Sequence, residues 1–364
     1  MISHGPTDVV LSGGMQKSRA VLVLLIVPGA VFAADGLKPP FAVRAPGAGV
    51  DESCPSAPAP VVDLSVVSKY GDNGPLHDTV DTKAEAEAAA QMAPVQAFAQ
   101  SVVKMANRYM ATGNPAPARC AMAWLDAWAV GRAMTVMRDH NAEFERGATM
   151  GGLSMAMMQI EPAVGSDARY AAVGKWMHGV IADGIKYFDS TEKLKGSRNN
   201  HRYWAAVGAA GTAVVTGDRH LLDWAVDTYR SGVCGATPEG GLPLELQRGK
   251  KALDYHLFAL DALTGIAAIA EANGVDAFGF CDGAFHRIVR FSLMGLEDPS
   301  GIAKLAGSSQ DPYPDGLPSK NHASFIEVYH RYFPAKAPME ARLLTMRPLL
   351  STNLGGDLTL LYGK

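Results

Sequence analysis

Apolar residues recur at helical spacing through most of this chain, starting at about residue 82. Lys83–Met110 is rich in alanine and other good helix formers, and residues 120–137 repeat apolar side chains at helical intervals, among them Leu125 and Trp128. Gly, Pro, Asn and Asp mark the breaks, as in TGNPAP and ATPEGGLP. Further helices are predicted over about 141–160, 167–188, 200–216, 219–235, 249–272, 275–294 and 321–333.

This pattern predicts an all-α protein. Strand-like alternation is scarce, and only the C-terminal DLTLLYGK is interpreted as a short strand or an irregular tail. Short connections between successive helices favour antiparallel helix pairs, and several helices are apolar on more than one face. We therefore expect an α/α toroid (α/α barrel) in which helix pairs line a cleft, with a plain helical bundle as the alternative.

The N-terminal region lacks this periodicity and has the pattern of an export signal. Lys17 and Arg19 precede an apolar stretch that is too short to span a bilayer comfortably, and VFA before Ala34 fits the small-residue rule for cleavage. We expect residues 1–34 to be a secretory signal peptide that takes the protein to the periplasm, with Met15 as an alternative start. An uncleaved anchor is the other reading of the same pattern.

Residues 35–63 contain PP, AP and CPSAPAP and are expected to form an extended arm, followed by one α/α-toroid domain over 64–364. Among the four cysteines, none has the CxxC spacing of a zinc or redox site, so metal binding is not expected. In an oxidising compartment they can form two disulfides with three possible pairings, and a bridge from Cys54 to Cys120 would pin the arm. Buried free thiols are the alternative.

Charge and composition narrow the range of partners. The 364 residues are 48% hydrophobic, enough for a sizeable core, and 33 Lys and Arg against 36 Asp and Glu give a net charge of −3. This balance does not favour a nucleic acid held by bulk charge. No segment after the signal is read as membrane-spanning, and we expect a monomer without membrane attachment.

Two groups of neighbouring residues are candidates for a catalytic site. In RNNHRYWAAV (198–207), Ser197, Asn199 or Asn200 can cap the following helix, and His201 lies in its first turn, where the helix N-terminus helps to keep the ring neutral. A neutral histidine can accept a proton. The alternative is that Asn200 only caps and His201 only packs.

The second group lies in LPLELQRGKKALDYHLFAL (242–260). If Arg248–Leu260 is helical, Arg248 and Tyr255 are seven residues apart and lie on one face, where they could bind a carboxylate and move a proton. An exposed arginine beside a half-buried tyrosine is the alternative.

Together these stretches resemble the bacterial periplasmic alginate lyases of polysaccharide lyase family 5, the poly(β-D-mannuronate) lyases. The resemblance spans roughly residues 37–335. It is carried by NNHRYWAA (199–206), TAVVTGDRHLLDWAV (212–226), LPLELQRGKKALDYH (242–256) and IAAIAEANGVD (266–276), with SKYG (68–71) and CAMAWLDAWA (120–129) upstream. It implies an incomplete α/α toroid with a deep cleft, an anionic polysaccharide substrate, and no metal ion or organic cofactor.

The resemblance also implies β-elimination across a 4-O-linked uronate, and it assigns roles to matching residues. Asn200 and Arg248 are expected to stabilise the charge that develops on the substrate carboxylate, and Tyr255 and His201 to transfer protons. Lys69 and Tyr70 match a loop that covers the cleft, and Tyr203 and Trp204 are assigned to substrate binding. Without the resemblance, Lys69 reads as a solvated loop lysine.

Which group is the base depends on the sugar. In mannuronate the C5 hydrogen and the C4 oxygen lie on the same side of the ring, so one group, Tyr255, can serve as base and acid in turn. Its hydroxyl normally titrates near pH 10 and needs cationic neighbours to act as a base. In the C5 epimer the two atoms lie on opposite faces, and His201 as base with Tyr255 as acid is the natural arrangement.

Three places depart from the family pattern: Leu257–Phe258, the Gly- and Met-rich RGATMGGLSMAMMQI (146–160), and the loosely matching 308–333. They would line outer subsites, so a lyase for a glucuronate-containing exopolysaccharide is an alternative. A glycoside hydrolase is another, but it needs two carboxylates at the bond, and Asp254 is expected to point away from Tyr255. The third is a non-catalytic polysaccharide-binding component of an export system.

Overall fold

The computed structural model describes residues 36–70, 74 and 76–363. The predicted signal peptide (1–34) and the alternative start at Met15 lie outside them. Within this part the helices are α1 Thr82–Thr112, α2 Pro115–Val130, α3 His140–Val164, α4 Ala168–Ser190, α5 Asn200–Thr216, α6 Arg219–Cys234, α7 Pro243–Leu246, α8 Ala252–Ala272, α9 Phe280–Glu297, α10 Ser300–Ala306, α11 Phe325–Tyr332, α12 Pro338–Leu344 and α13 Leu358–Tyr362.

The start of each of the first six helices is explained by the capping side chain that precedes it. Each of α1 to α6 begins after an Asp or Asn whose side-chain oxygen accepts a backbone N–H of the first turn, which satisfies a donor that the helix itself leaves free. The caps are Asp81, Asn114, Asp139, Asp167, Asn199 and Asp218.

Helices α1, α3, α5, α8 and α11 pack side by side in this order and form the inner layer of an α/α toroid, as predicted. Helices α2, α4, α6 and α9 pack outside them as antiparallel partners. Most residues of α3 and α8 are buried, which is why their sequences are apolar on more than one face. Helix α13 contacts both α11 and α1 where a further long helix pair would close the ring, and the turn Thr352–Leu354 packs against α3 and α1.

Strands are confined to two short pairs in the described residues. β1 Asp63–Leu64 runs parallel to β2 Val136–Met137, and β3 Leu350–Ser351 is antiparallel to β4 Gly356–Asp357. The C-terminal DLTLLYGK was predicted as a short strand or a tail, but its residues from Leu358 form α13 because Asp357 caps the Leu360 N–H.

Two other predicted boundaries were wrong for local reasons. The second helix was predicted over 120–137 but ends at Val130, because Gly131 closes it and Arg132 and Met134 adopt positive φ angles. The helix predicted from residue 275 follows a loop and begins at Phe280, where Cys281, Asp282 and Gly283 are left-handed.

The arm lies along the first helices. Cys54 is bonded to Cys120 on α2, and the indole N–H groups of Trp124 and Trp128 donate to the carbonyls of Pro55 and Pro58 at 2.8 and 3.0 Å. Cys234 is bonded to Cys281, so all four cysteines are paired, as expected for an oxidising compartment. The arm then leads through β1 directly into residues 65–70.

One described segment, Gly249–Ala272, is long and apolar enough to cross a membrane, which the sequence reading did not anticipate. Its most apolar stretch is 89% buried inside the protein. This is the pattern of a core helix, because α5, α6, α9 and α11 cover it on several sides.

Candidate active site

A cleft of about 980 Å³ opens where α3, α5 and α8 begin. Residues 66–70 and 76–77, here called the covering segment, lie along one side of it. The segment that leads into α5 and the segment 243–248 also contribute lining residues, among them Asn199, His201 and Arg248. Five of the predicted site residues line the cleft: Lys69, Tyr70, His201, Arg248 and Tyr255.

His201 is held flat against Phe144. Their ring centroids are 3.8 Å apart and the planes differ by 8°. The cap of α5 is Asn199, whose side-chain oxygen accepts the His201 backbone N–H at 3.2 Å. Burial, followed by the positive charges of Arg248 and Lys69, lowers the pKa of His201 to about 3. The imidazole is therefore neutral, as predicted, although burial and not the helix terminus is the main cause.

Arg248 and Tyr255 are in contact, although not through the helix that was predicted to join them. Helix α8 starts only at Ala252, and Arg248 precedes a tight turn in which Gly249 has a φ of 52°. The guanidinium carbon nevertheless lies 3.5 Å from the centroid of the Tyr255 ring. Arg248 is fixed there by donating to the carbonyl oxygens of Leu76 and His77 at 3.0 and 2.9 Å.

Tyr255 also touches the covering segment, since its hydroxyl is hydrogen-bonded to the hydroxyl of Tyr70. Burial raises the pKa of Tyr255 well above its usual value, and the charge of Arg248 acts in the opposite direction. Tyr255 is only 8% exposed. The Lys69 ammonium lies 5.3 Å from the centroid of the Tyr70 ring. Two cationic side chains thus flank a pair of tyrosines at the cleft.

Asn200 lies behind the cleft surface and is fully buried. Its backbone N–H and its side-chain amide donate to the two carboxylate oxygens of Glu245 at 2.9 and 3.0 Å. Burial raises the pKa of Glu245 to about 7, against the effect of these hydrogen bonds. A donor role of Asn200 toward a substrate carboxylate stays a prediction, and it requires the second N–H of the amide.

Tyr203 and Trp204, assigned to substrate binding from the sequence, do not line the cleft. They are 6% and 2% exposed. Successive helix residues point in different directions, and here Tyr203 packs toward Gly232 of α6 while the Trp204 ring lies 5.1 Å from that of Phe258. Trp204 therefore supports a cleft residue from behind.

The sequence reading missed several cleft residues. Phe144 and Glu145 line it from α3, and burial raises the pKa of Glu145 against the opposing charge of Lys69. Asp254, expected to point away, also lines the cleft, where its Oδ1 is 2.9 Å from Nδ1 of His322. For Phe144 the available signal was an aromatic residue in the first turns of a helix that faces the NNH motif.

The described residues contain no group of three or more His, Cys, Asp or Glu side chains that could hold a metal ion. The side chains that line the cleft include a phenol, a neutral imidazole and two cations, from Tyr255, His201, Arg248 and Lys69.

Comparison with known proteins identifies the relatives of this chain. A family model described as Alginate lyase matches residues 53–302. An alginate lyase of Azotobacter vinelandii is 32% identical over 362 residues, covering 96% of this chain and 96% of that protein. An alginate lyase of Pseudomonas putida strain W619 is 31% identical over 359 residues, covering 95% and 96%.

Solved structures show the same fold. Alginate lyase A1-III, as a histidine-to-alanine variant complexed with a tetrasaccharide, superposes with a TM-score of 0.75 at 22% identity, covering 87% of this chain and 88% of that one. The A1-III crystal structure from Sphingomonas species A1 gives 0.69, covering 90% and 89%. An alginate lyase from Bacteroides ovatus gives 0.57 at 17% identity, covering 78% and 77%.

Proposed function

The chain belongs to the alginate lyase family and is a polysaccharide lyase, and we propose that it cleaves 4-O-linked, mannuronate-rich alginate by β-elimination. The reaction removes the C5 proton, forms a C4=C5 double bond and expels the glycosidic O4, which leaves one chain with a 4,5-unsaturated uronate end. The observation that carries this proposal is the contact of Tyr255 with both Arg248 and Tyr70, beside a neutral His201 in one cleft.

The first requirement is stabilisation of the carboxylate beside C5, which gains negative charge as the proton leaves. Arg248 and Lys69 are cations at the cleft, and the two backbone carbonyls that hold Arg248 fix its position before substrate arrives. A fixed charge needs little reorganisation during the reaction. We assign Arg248 to this role, with Lys69 as a second contact from the covering segment.

The second requirement is proton transfer. For mannuronate we assign both steps to Tyr255, which takes the C5 proton as a phenolate and returns it to O4 as a phenol. The Arg248 charge over its ring favours the phenolate, whereas burial and the Tyr70 hydroxyl raise the pKa of Tyr255 and act against it. For the C5 epimer the neutral imidazole of His201 is the base, and Tyr255 is the acid.

The substrate is an anionic polysaccharide, and the cleft suits it because the cationic side chains of Lys69 and Arg248 line it. We propose that the enzyme acts as a monomer in the periplasm after cleavage of the signal peptide. Two disulfides and the N-terminal pattern support export. Nothing in the proposed chemistry requires a second subunit or a membrane.

Ultraviolet absorbance tests the proposal directly, because the conjugated double bond absorbs and a hydrolysis product does not. The mature protein is incubated separately with polymannuronate, polyguluronate and polyglucuronate. We expect absorbance to rise fastest with polymannuronate. No rise with any polymer, in a folded sample, would overturn the proposal, and a rise with polyglucuronate alone would move the substrate to another exopolysaccharide.

Tyr255→Phe should remove nearly all turnover, since it deletes the hydroxyl and little else. Tyr329→Phe is the matched control, because that hydroxyl binds His286 away from the cleft. Both variants are compared with the wild type by circular dichroism and by the absorbance assay. Turnover close to wild type in Tyr255→Phe would contradict the role of this tyrosine.

A further inference from the structure

A histidine–carboxylate pair, His322 and Asp254, lies in the same cleft and has no part in the proton transfer proposed above. Nδ1 of His322 is 2.9 Å from Oδ1 of Asp254, and the hydroxyl of Tyr313 donates to the same oxygen at 3.2 Å. The two side chains are 22% and 31% exposed, and both line the cleft. They are thus reachable by a polymer that occupies it.

Helix α8 holds this pair through one face. Asp254 binds His322, and Phe258, one turn further on, has its ring centroid 5.6 Å from that of His322. After another turn, Asp261 accepts from the Ser324 hydroxyl at 2.8 Å and the Phe325 N–H at 2.6 Å. Three contacts therefore fix residues 322–325 on α8, so the His322 ring is positioned in advance of any ligand.

The hydrogen bond that Nδ1 of His322 makes with Asp254 determines whether Nε2 is a donor or an acceptor. An ionised Asp254 accepts only, so Nδ1 of His322 must be the donor. In the neutral ring Nε2 is then an acceptor, and it carries a hydrogen only in the imidazolium. None of the described residues bonds to Nε2. Protonation therefore changes the open nitrogen from an acceptor to a charged donor.

The surroundings favour the protonated form. Burial lowers the pKa of His322, but the hydrogen bond and charge of Asp254, with the charge of Asp261, outweigh it and raise the pKa, while Lys69 opposes them. Burial likewise raises the pKa of Asp254, yet His322, Lys251 and Tyr313 together lower it. Lys251 is itself paired with Asp311 at 3.3 Å.

We propose that Nε2–H of His322 binds the carboxylate of a uronate neighbouring the one at Tyr255, with Asp254 as the residue that orients the ring. The Phe258 ring is near both, with its centroid 6.5 Å from that of Tyr255 and 5.6 Å from that of His322, and we assign His322 to a different sugar from Tyr255. The pair selects acidic over neutral sugars at that position. This inference rests on the proposed function, since it names a further contact of the same substrate.

The test measures binding, so that it does not depend on turnover. In the Tyr255→Phe background, the Kd of a mannuronate oligosaccharide is measured by calorimetry from about pH 5 to about pH 9, a range that spans histidine titration. We expect affinity to fall as pH rises through the His322 pKa. A hydrogen bond to a charged group predicts a loss of about tenfold.

Two replacements separate binding from a merely structural role. The side-chain NH2 group of Asn lies close to the position of Nδ1 in histidine, and that of Gln lies close to the position of Nε2. His322→Asn therefore keeps the hydrogen bond to Asp254 and loses the donor that faces the cleft. We expect His322→Asn to bind about tenfold more weakly at low pH, without the pH transition. We expect His322→Gln to keep a donor and to bind without the transition. Asp254→Asn should move the transition to lower pH.

The matched control is His178→Asn, because His178 pairs with Asp218 at 2.9 Å outside the cleft and should not affect binding. A pH profile in His322→Asn equal to that of the parent overturns the inference, as does a complete lack of oligosaccharide binding at any pH. The absorbance assay on the wild type decides the proposed function separately, since it does not involve these variants.

Discussion

At the scale of single residues, Phe144 fixes the plane of a group that is proposed to move protons. Its ring stacks on His201 with centroids 3.8 Å apart. A small side chain at this position would let the imidazole rotate away from its reactive geometry. Loss of such positioning in enzymes costs roughly 100-fold when it amounts to an ångström.

We predict that Phe144→Ala lowers kcat by roughly 10- to 100-fold on polyguluronate, the polymer in which His201 is assigned as base. Phe144→Leu keeps most of the volume and should lose less. Steady-state kinetics on both polymers measure the effect. Equal, small losses in the two variants on both polymers would show that the stack does not matter for the reaction.

Asp261 makes stability depend on pH. Its carboxyl is fully buried, Oδ2 has no hydrogen-bond partner among the described residues, and burial raises the pKa to about 7. A carboxyl with a folded pKa above its unfolded value contributes stability below the unfolded pKa, and this contribution is lost as pH rises through the folded pKa. Ionised Asp261 therefore destabilises the protein at alkaline pH.

Asp261→Asn should remove this dependence while its side-chain oxygen still accepts from Ser324 and Phe325. We predict that the free energy of unfolding of the variant, relative to the wild type, increases between about pH 4 and pH 7 and then stays constant. Urea denaturation at several pH values measures it. Parallel pH curves for the two proteins would contradict the prediction.

The sequence was a good guide to the reactive side chains and a poor one to those around them. His201, Arg248, Tyr255, Lys69 and Tyr70 were proposed from motifs and do meet at one cleft. Tyr203 and Trp204 stand in the same motif but face the core, because burial depends on which neighbouring helix covers a residue. Contacts between distant segments, such as Asp254 with His322, leave no mark in a single sequence.

At the scale of elements, the Gly-rich part of α3 is explained by close packing. A Cβ at Gly211 of α5 would lie 2.0 Å from the Ser154 hydroxyl oxygen, and one at Gly147 would lie 3.0 Å from Ala205. A Cβ at Gly152 would lie 2.2 Å from the carbonyl oxygen of Thr352. The stretch that departs from the family pattern thus packs against α5 and the C-terminal turn.

We predict that Gly152→Ala destabilises the protein by about 1–3 kcal/mol, because a backbone carbonyl must move to admit the methyl group. Gly179→Ala is the control, since that exposed position in α4 has no atom within 4 Å of a new Cβ. It should stabilise the protein by up to about 1 kcal/mol. Chemical denaturation distinguishes them, and equal effects of the two changes would refute the packing argument.

The existence of the long helices followed from periodicity and caps, but their ends did not. Gly131 ends α2, and residues 281–283 have left-handed backbone conformations at the start of α9. The spacing of apolar residues predicts neither feature. Arg248 and Tyr255 are in contact, as predicted. The helix that was predicted to join them is not continuous, because α8 starts only at Ala252.

At the scale of the whole molecule, the arm is the support of the segment that covers the cleft. The Cys54–Cys120 bridge closes a loop across 66 positions, and the chain then passes through β1 into Lys69 and Tyr70. By the loop-entropy model such a bridge stabilises a protein by about 4 kcal/mol. Its loss should therefore loosen a part of the site.

We predict that the double variant Cys54→Ser, Cys120→Ser loses activity at a lower temperature than it loses helicity. The control is Cys234→Ser, Cys281→Ser, which opens the bridge between α6 and α9, leaves the arm attached, and should lose both together. Residual activity and circular dichroism are followed on the same heated samples. Coincident losses in the first variant would show that the arm does not support the site.

The contact between the hydroxyls of Tyr70 and Tyr255 joins residues 185 positions apart. Helices form from local contacts, whereas pairing of such distant segments requires closure of a long loop and is correspondingly slow. The toroid can thus regain its helices and much of its core before residues 65–70 and 76–77 dock. We expect a chain in that condition to be nearly native by its spectrum and to lack a complete active site, so that enzymatic activity returns last on refolding.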